Sequence, residues 1–162
     1  MNWLRKFWLV GEESALEALA CMARRRGRTP QAEHLQTGLR GEDAAYFYLR
    51  RKGYLVVARR WSSGTVPGDL DLIAWKGERL CIIVVKTRTA HDLAPAEAAV
   101  DDQKRRTVCR LARQYIGQLP QQQRPAVRFD VLSVYLIPGQ PKEFVHIEAA
   151  FGWSAHDPDW RQ

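Results

Sequence analysis

Two runs of apolar and β-branched residues, Leu70 to Trp75 and Leu80 to Val85, flank Lys76-Gly77-Glu78-Arg79, and this pattern predicts a β-hairpin. A turn that takes all four of these residues pairs Trp75 with Leu80 and sets Asp71 opposite Val84. A two-residue turn sets Asp71 opposite Ile82 instead. Side chains alternate between faces along a strand, so Asp69 and Asp71 share one face of the first arm, and Val84 and Lys86 share one face of the second. In either register two carboxylates and a lysine converge on one surface of an apolar hairpin. Charge there is costly unless it is paired, hydrated or bound to a metal.

The rest of the chain divides by period. Residues 38–52 predict a helix with Ala44, Ala45, Tyr48 and Leu49 as its apolar stripe, stopped by Gly53. Tyr54 to Ala58 reads as a strand leading to Arg59-Arg60-Trp61. A second helix is expected from Glu97 to Leu119, where Val108, Leu111, Ala112, Tyr115, Ile116 and Leu119 keep the helical period and Lys104, Arg105, Arg106, Arg110 and Arg113 form a basic side. Val127 to Leu136 is a long strand on which Arg128 and Asp130 share a face, as a structural ion pair would. Phe144 to Ile147 is an edge strand. Upstream, Ser14-Ala15-Leu16-Glu17 is a capping box opening an amphipathic helix that Gly27 ends, and Thr29 to Ala32 reads as a linker. The order is helix, three strands, helix, two strands: an α/β domain over residues 36–150 with a mixed central sheet flanked by helices. An N-terminal helical extension occupies 1–35. A tail occupies 151–162, in which Trp153 and Trp160 have no readable role.

Composition narrows the function. A net charge of +7 over 162 residues suits an anionic partner, although a basic surface also occurs without one. Cys21, Cys81 and Cys109 are far apart and odd in number, which argues against a disulfide framework or a zinc site and for a reducing cytoplasm. The chain has no apolar run long enough to span a membrane.

Hydrolysis of a phosphodiester uses a divalent metal to polarise the phosphate and activate water, with carboxylates as ligands and a lysine beside them. The blocks Gly38-Leu39-Arg40-Gly41-Glu42-Asp43-Ala44-Ala45, Gly53-Tyr54, Arg59-Arg60-Trp61, Gly68-Asp69-Leu70-Asp71-Leu72-Ile73, Val84-Val85-Lys86-Thr87-Arg88 and Arg128-Phe129-Asp130-Val131 carry a resemblance to the YraN-like bacterial family, within the restriction-endonuclease-like and Holliday-junction-resolvase-like nucleases. The resemblance implies a restriction-endonuclease-like fold. It implies magnesium or manganese held by Asp71, Asp69 and Glu42, with Asp71, Lys86 and Glu42 catalytic. It also implies a homodimer, since the resolvase relatives are dimers. The chain departs from the family pattern twice: Asp69 stands for a glutamate, and Val84 stands for the glutamate of Glu-x-Lys, which removes a metal ligand. Glu42 has a second reading as an acidic residue favoured near a helix N-terminus. Arg59, Arg60, Arg88, Lys104, Arg105, Arg106 and Arg110 are the expected contacts to nucleic acid, with DNA the expected polymer. Two functions follow: a nucleic-acid-binding protein on a nuclease-derived fold, with metal-dependent cleavage left open by Val84, or a protein-interaction module that docks through the N-terminal helix.

Overall fold

The computed structural model describes residues 30–91 and 100–153. Their elements are α1 (Pro30–Arg51), β1 (Leu55–Trp61), β2 (Leu70–Lys76), β3 (Arg79–Arg88), α2 (Asp102–Gly117), a 3-10 turn (Gln121–Gln123), β4 (Val127–Tyr135) and β5 (Glu143–Phe151). One sheet runs in the order β1-β2-β3-β4-β5, with β3 and β4 parallel and the other neighbours antiparallel. The parallel pair requires a crossover, and α2 supplies it. This is the mixed α/β sheet expected of the restriction-endonuclease-like class.

Both faces of the sheet are covered, which explains the unbroken apolar run of β3. Its Leu80, Ile82 and Val84 pack with Val108, Leu111, Ala112 and Ile116 of α2. Its Cys81 and Ile83 pack with Ala44, Ala45 and Leu49 of α1. A strand buried on both sides reads as continuous hydrophobicity rather than alternation. The hairpin register is the one that pairs Trp75 with Leu80. Lys76 and Arg79 still pair, so the ladder closes to Gly77-Glu78, with Gly77 at φ +60°. One step along the same ladder from Leu72↔Ile83, Asp71 lies beside Val84.

The structure departs from the sequence expectations at several ends. Pro30 to Ala32, expected as a linker, are helical in α1. A proline fits the first turn because its missing N–H would have no intrahelical partner there. At the other end Gly53 takes φ +84°, its N–H reaches Arg50 O at 3.1 Å, and Tyr54 N–H reaches Leu49 O at 3.0 Å. That is a glycine-terminated helix end. α2 starts at Asp102, and the Asp101 side chain caps it by accepting from Lys104 N at 2.7 Å. The expected start at Glu97 lies outside the described residues, as does the amphipathic helix of the N-terminal extension. The last strand runs on to Phe151, which stacks on Phe129, and Trp153 meets the same ring edge-on at 4.7 Å. Trp153 therefore belongs to the core beneath α2. Among the described residues no helix is long and apolar enough to cross a membrane.

Candidate metal and nucleic-acid site

Asp71, Lys86, Lys104 and Glu42 come together where β2 begins and β3 ends, against the two helices. Asp71 is almost enclosed, with its side chain 13% exposed. Its Oδ2 accepts the Val85 backbone N–H at 2.7 Å, and its Oδ1 lies 3.6 Å from Lys104 Nζ. Burial pushes the Asp71 carboxyl above its ordinary pKa. Lys104 and the Val85 N–H pull it back, Asp69 raises it further, and Lys86 opposes that. The net shift stays upward. Glu42, on α1, ion-pairs with Arg60 Nε at 2.9 Å. Burial raises its carboxyl too, more than Arg60 lowers it, and Asp71 and Asp69 add to the rise. The two aspartates and the glutamate thus share one electrostatic neighbourhood.

Arg60 occupies the β1 position between Arg59↔Leu72 and Trp61↔Leu70, so it lies alongside Asp71. Its φ is +50°, in the left-handed region. For a residue with a side chain this costs on the order of 1 kcal/mol and persists only where the surroundings hold it, here the contact with Glu42.

An open cleft of about 250 Å³ lies between α1 and the end of β3. His34, Thr37 and Glu42 line it from α1, and Lys86, Thr87 and Thr89 from the strand side. Close approach of helix and strand is made possible by Gly41, because a Cβ there would stand 1.8 Å from Thr87 Oγ1. Lys86 is half-buried and has no hydrogen bond or ion pair among the described residues.

These residues do not fit a divalent cation as placed. Magnesium takes about six oxygen ligands, including one or two carboxylates. Here Glu42 and Asp71 each face a cationic side chain already, and Val84 is 2% exposed in the apolar cluster under α2. Among the described residues no three His, Cys, Asp or Glu side chains gather to hold a metal ion.

The profile of the uncharacterised protein family UPF0102 matches residues 41–134. The chain belongs to this family. A UPF0102 protein of Koribacter versatilis is 47% identical over 121 residues, covering 75% of this chain and 82% of its own. One from Solibacter usitatus is 42% identical over 112 residues, covering 69% and 81%. One from Porphyromonas gingivalis is 40% identical over 125 residues, covering 74% and 87%. The UPF0102 match takes in Glu42, Asp71, Lys86 and α2, whereas His34 and Thr37 precede it.

The expected nucleic-acid contacts separate into groups. Arg59 bonds Asp43 and lies over the Tyr46 ring, and Arg60 holds Glu42, so both are tied to α1. Lys104 is committed to Asp71. Arg105 lies 3.7 Å from Asp102 and over Phe151. Arg88 closes β3, paired with Tyr135 in register. Arg106 and Arg110 are exposed, four residues apart on the outer side of α2. The sequence reading missed His34 and Thr37. The signal was present: once the helix begins at Pro30, residues 34, 37, 38 and 41 fall at the spacing of one helical face.

Proposed function

We propose that this UPF0102 chain binds nucleic acid, DNA in the first instance, on a nuclease-derived fold and without metal-dependent cleavage. The observation that carries the reading is α2. Its outer side offers Arg106 and Arg110 to solvent, while Lys104, two residues before Arg106 and so turned to the other side of the helix, reaches inward to the buried Asp71. The helix therefore joins an exposed basic stripe to the site. Exposed arginines four residues apart on a helix suit successive backbone phosphates, which give affinity without sequence choice. The net charge of +7 adds long-range attraction to a polyanion. The buried Val84, where the resemblance implies a glutamate, and the existing cation partners of Asp71 and Glu42 argue for binding rather than hydrolysis.

The test is fluorescence anisotropy with labelled duplex, branched and single-stranded DNA and RNA over a salt series. Affinity is expected to fall steeply with salt, by about 0.9 in log–log slope for each duplex phosphate contacted. Arg106→Ala with Arg110→Ala is expected to lower that slope by about two contacts. Binding that ignores salt, or no binding, sinks the proposal. Cleavage with magnesium or manganese that disappears in Asp71→Ala replaces it with an endonuclease.

A further inference from the structure

The mismatch between the donor set and a divalent cation has a counterpart in the chain itself. Lys104 Nζ stands 3.6 Å from the Asp71 oxygen that does not accept the Val85 N–H, where a metal would otherwise balance the charge. The lysine is delivered there by a fixed backbone: the Asp101 side chain caps α2 on the Lys104 N–H itself, at 2.7 Å. Val84, on the α2 face, is enclosed by apolar neighbours, so the position two residues before Lys86 adds packing rather than a ligand. Lys86 makes no hydrogen bond or ion pair among the described residues and reaches Asp71 and Asp101 only through the longer-range field. Next to it in the β3–β4 register, Ser133 is fully buried and its hydroxyl also finds no partner. Buried polar groups left unmatched are uncommon in folded proteins and ask for a missing partner.

We propose that Lys104 serves Asp71 as a built-in counter-ion in place of a divalent cation, leaving Lys86 as the uncommitted ammonium that meets a backbone phosphate without a metal. The phosphate half rests on the nucleic-acid reading above; the counter-ion half stands without it. An ammonium at this distance offsets part of the carboxylate's charge and stands on the side from which a cation would approach. Lys104 is thus a positioning residue and Lys86 a phosphate contact. The cleft beside Lys86 adds the hydroxyls of Thr37, Thr87 and Thr89, all able to donate to phosphate oxygens.

The first experiment titrates the full chain with Mn2+ and follows free and bound metal by electron paramagnetic resonance. The wild type is expected to show no site that Asp71→Asn removes. The double variant Val84→Glu/Lys104→Gln is expected to gain one, with affinity at least tenfold above the wild type. An Asp71-dependent Mn2+ site in the wild type overturns the proposal, whatever the protein does with DNA. So does a folded double variant, checked by circular dichroism, that binds no more Mn2+ than the wild type; Lys104→Gln alone serves if the double variant does not fold. The second experiment measures DNA binding at matched ionic strength with Mg2+ or with EDTA. Equal affinity in both is expected, with a loss of about one phosphate contact from the salt slope in Lys86→Ala. Binding abolished by EDTA overturns the counter-ion assignment while leaving nucleic-acid binding intact. An unchanged salt slope in Lys86→Ala overturns the role of Lys86.

Discussion

Asp71 and Asp130 stand one register step apart on opposite faces of the same sheet, and the fold treats them in opposite ways. Asp130 is fully buried beside Ile83 on the α1 side. It receives Arg128 Nε and Nη2 at 2.8 Å each, the Ala149 N–H at 3.0 Å, and lies 3.1 Å from His146 Nε2. Arg128 also reaches Glu148 at 2.7 Å and the Tyr54 hydroxyl at 2.8 Å. Burial alone would raise the Asp130 carboxyl, but the bonds from His146, Arg128 and Ala149 overcome it and the carboxyl lies below its ordinary value. Asp71 has one backbone N–H and one ammonium at 3.6 Å, and its carboxyl stays raised. The difference separates a charge held for structure from one the fold leaves under-served. Under-served ionisable groups beside a cleft are where binding and catalysis are usually found.

The largest test of this comparison is on the structural side. Asp130→Asn leaves Arg128 buried with its main counter-charge removed, and is expected to cost about 3 kcal/mol in equilibrium urea unfolding. A cost below about 1 kcal/mol would mean that the network is ornamental and the contrast with Asp71 empty. Next in size is the helix–strand contact at the cleft. Gly41→Ala would push a methyl group into Thr87 and is expected to destabilise by about 1–3 kcal/mol. Gly38, one turn earlier in α1, has nothing within 4 Å of an added Cβ. Gly38→Ala is therefore expected to stabilise by roughly 0.5–1 kcal/mol through helix propensity alone. Equal effects at the two glycines would show that α1 does not rest on β3 as described.

The two carboxylates were not equally legible in the sequence. Arg128 and Asp130 share a strand face two residues apart, so their pairing follows from strand geometry alone. The two apolar arms announce the hairpin but leave two registers open, which the Lys76↔Arg79 pairing decides, while the α/β order follows from the change of period. What stayed hidden depends on meetings between elements remote in sequence. Lys104 reads as one member of a basic stripe, which the family resemblance sets near the cleft, but its pairing with Asp71 appears only once α2 is seated on the sheet. Arg59 and Arg60 read as phosphate ligands beside a tryptophan, yet α1 presents Asp43 and Glu42 to them. The start of α1 was misplaced because proline is a stop signal inside a helix and a tolerated residue at its first turn. Trp153 had no visible role because its partner Phe129 lies on β4.

The smallest expected effect sharpens the comparison most directly. Asp71→Asn keeps an acceptor for the Val85 N–H and removes a charge that the fold disfavours, so at neutral pH its stability is expected to stay within about 1 kcal/mol of the wild type. The pH dependence then distinguishes the two aspartates. A carboxyl whose folded pKa is raised binds protons more readily in the folded state, so its contribution is present at low pH and lost as pH rises through the folded pKa. Asp71 is of this kind. Asp130 is the reverse: its contribution is present above the ordinary carboxylate pKa and is lost only as pH falls through a lower folded value. Between about pH 7 and pH 4.5 Asp130 therefore adds no slope, and the wild type is expected to gain stability relative to Asp71→Asn as the pH falls. Unfolding free energies of the two proteins across that range provide the measurement. A gap that moves the other way would mean that Lys104 holds Asp71 as firmly ionised as Arg128 holds Asp130, and the two sites would then differ in position but not in kind.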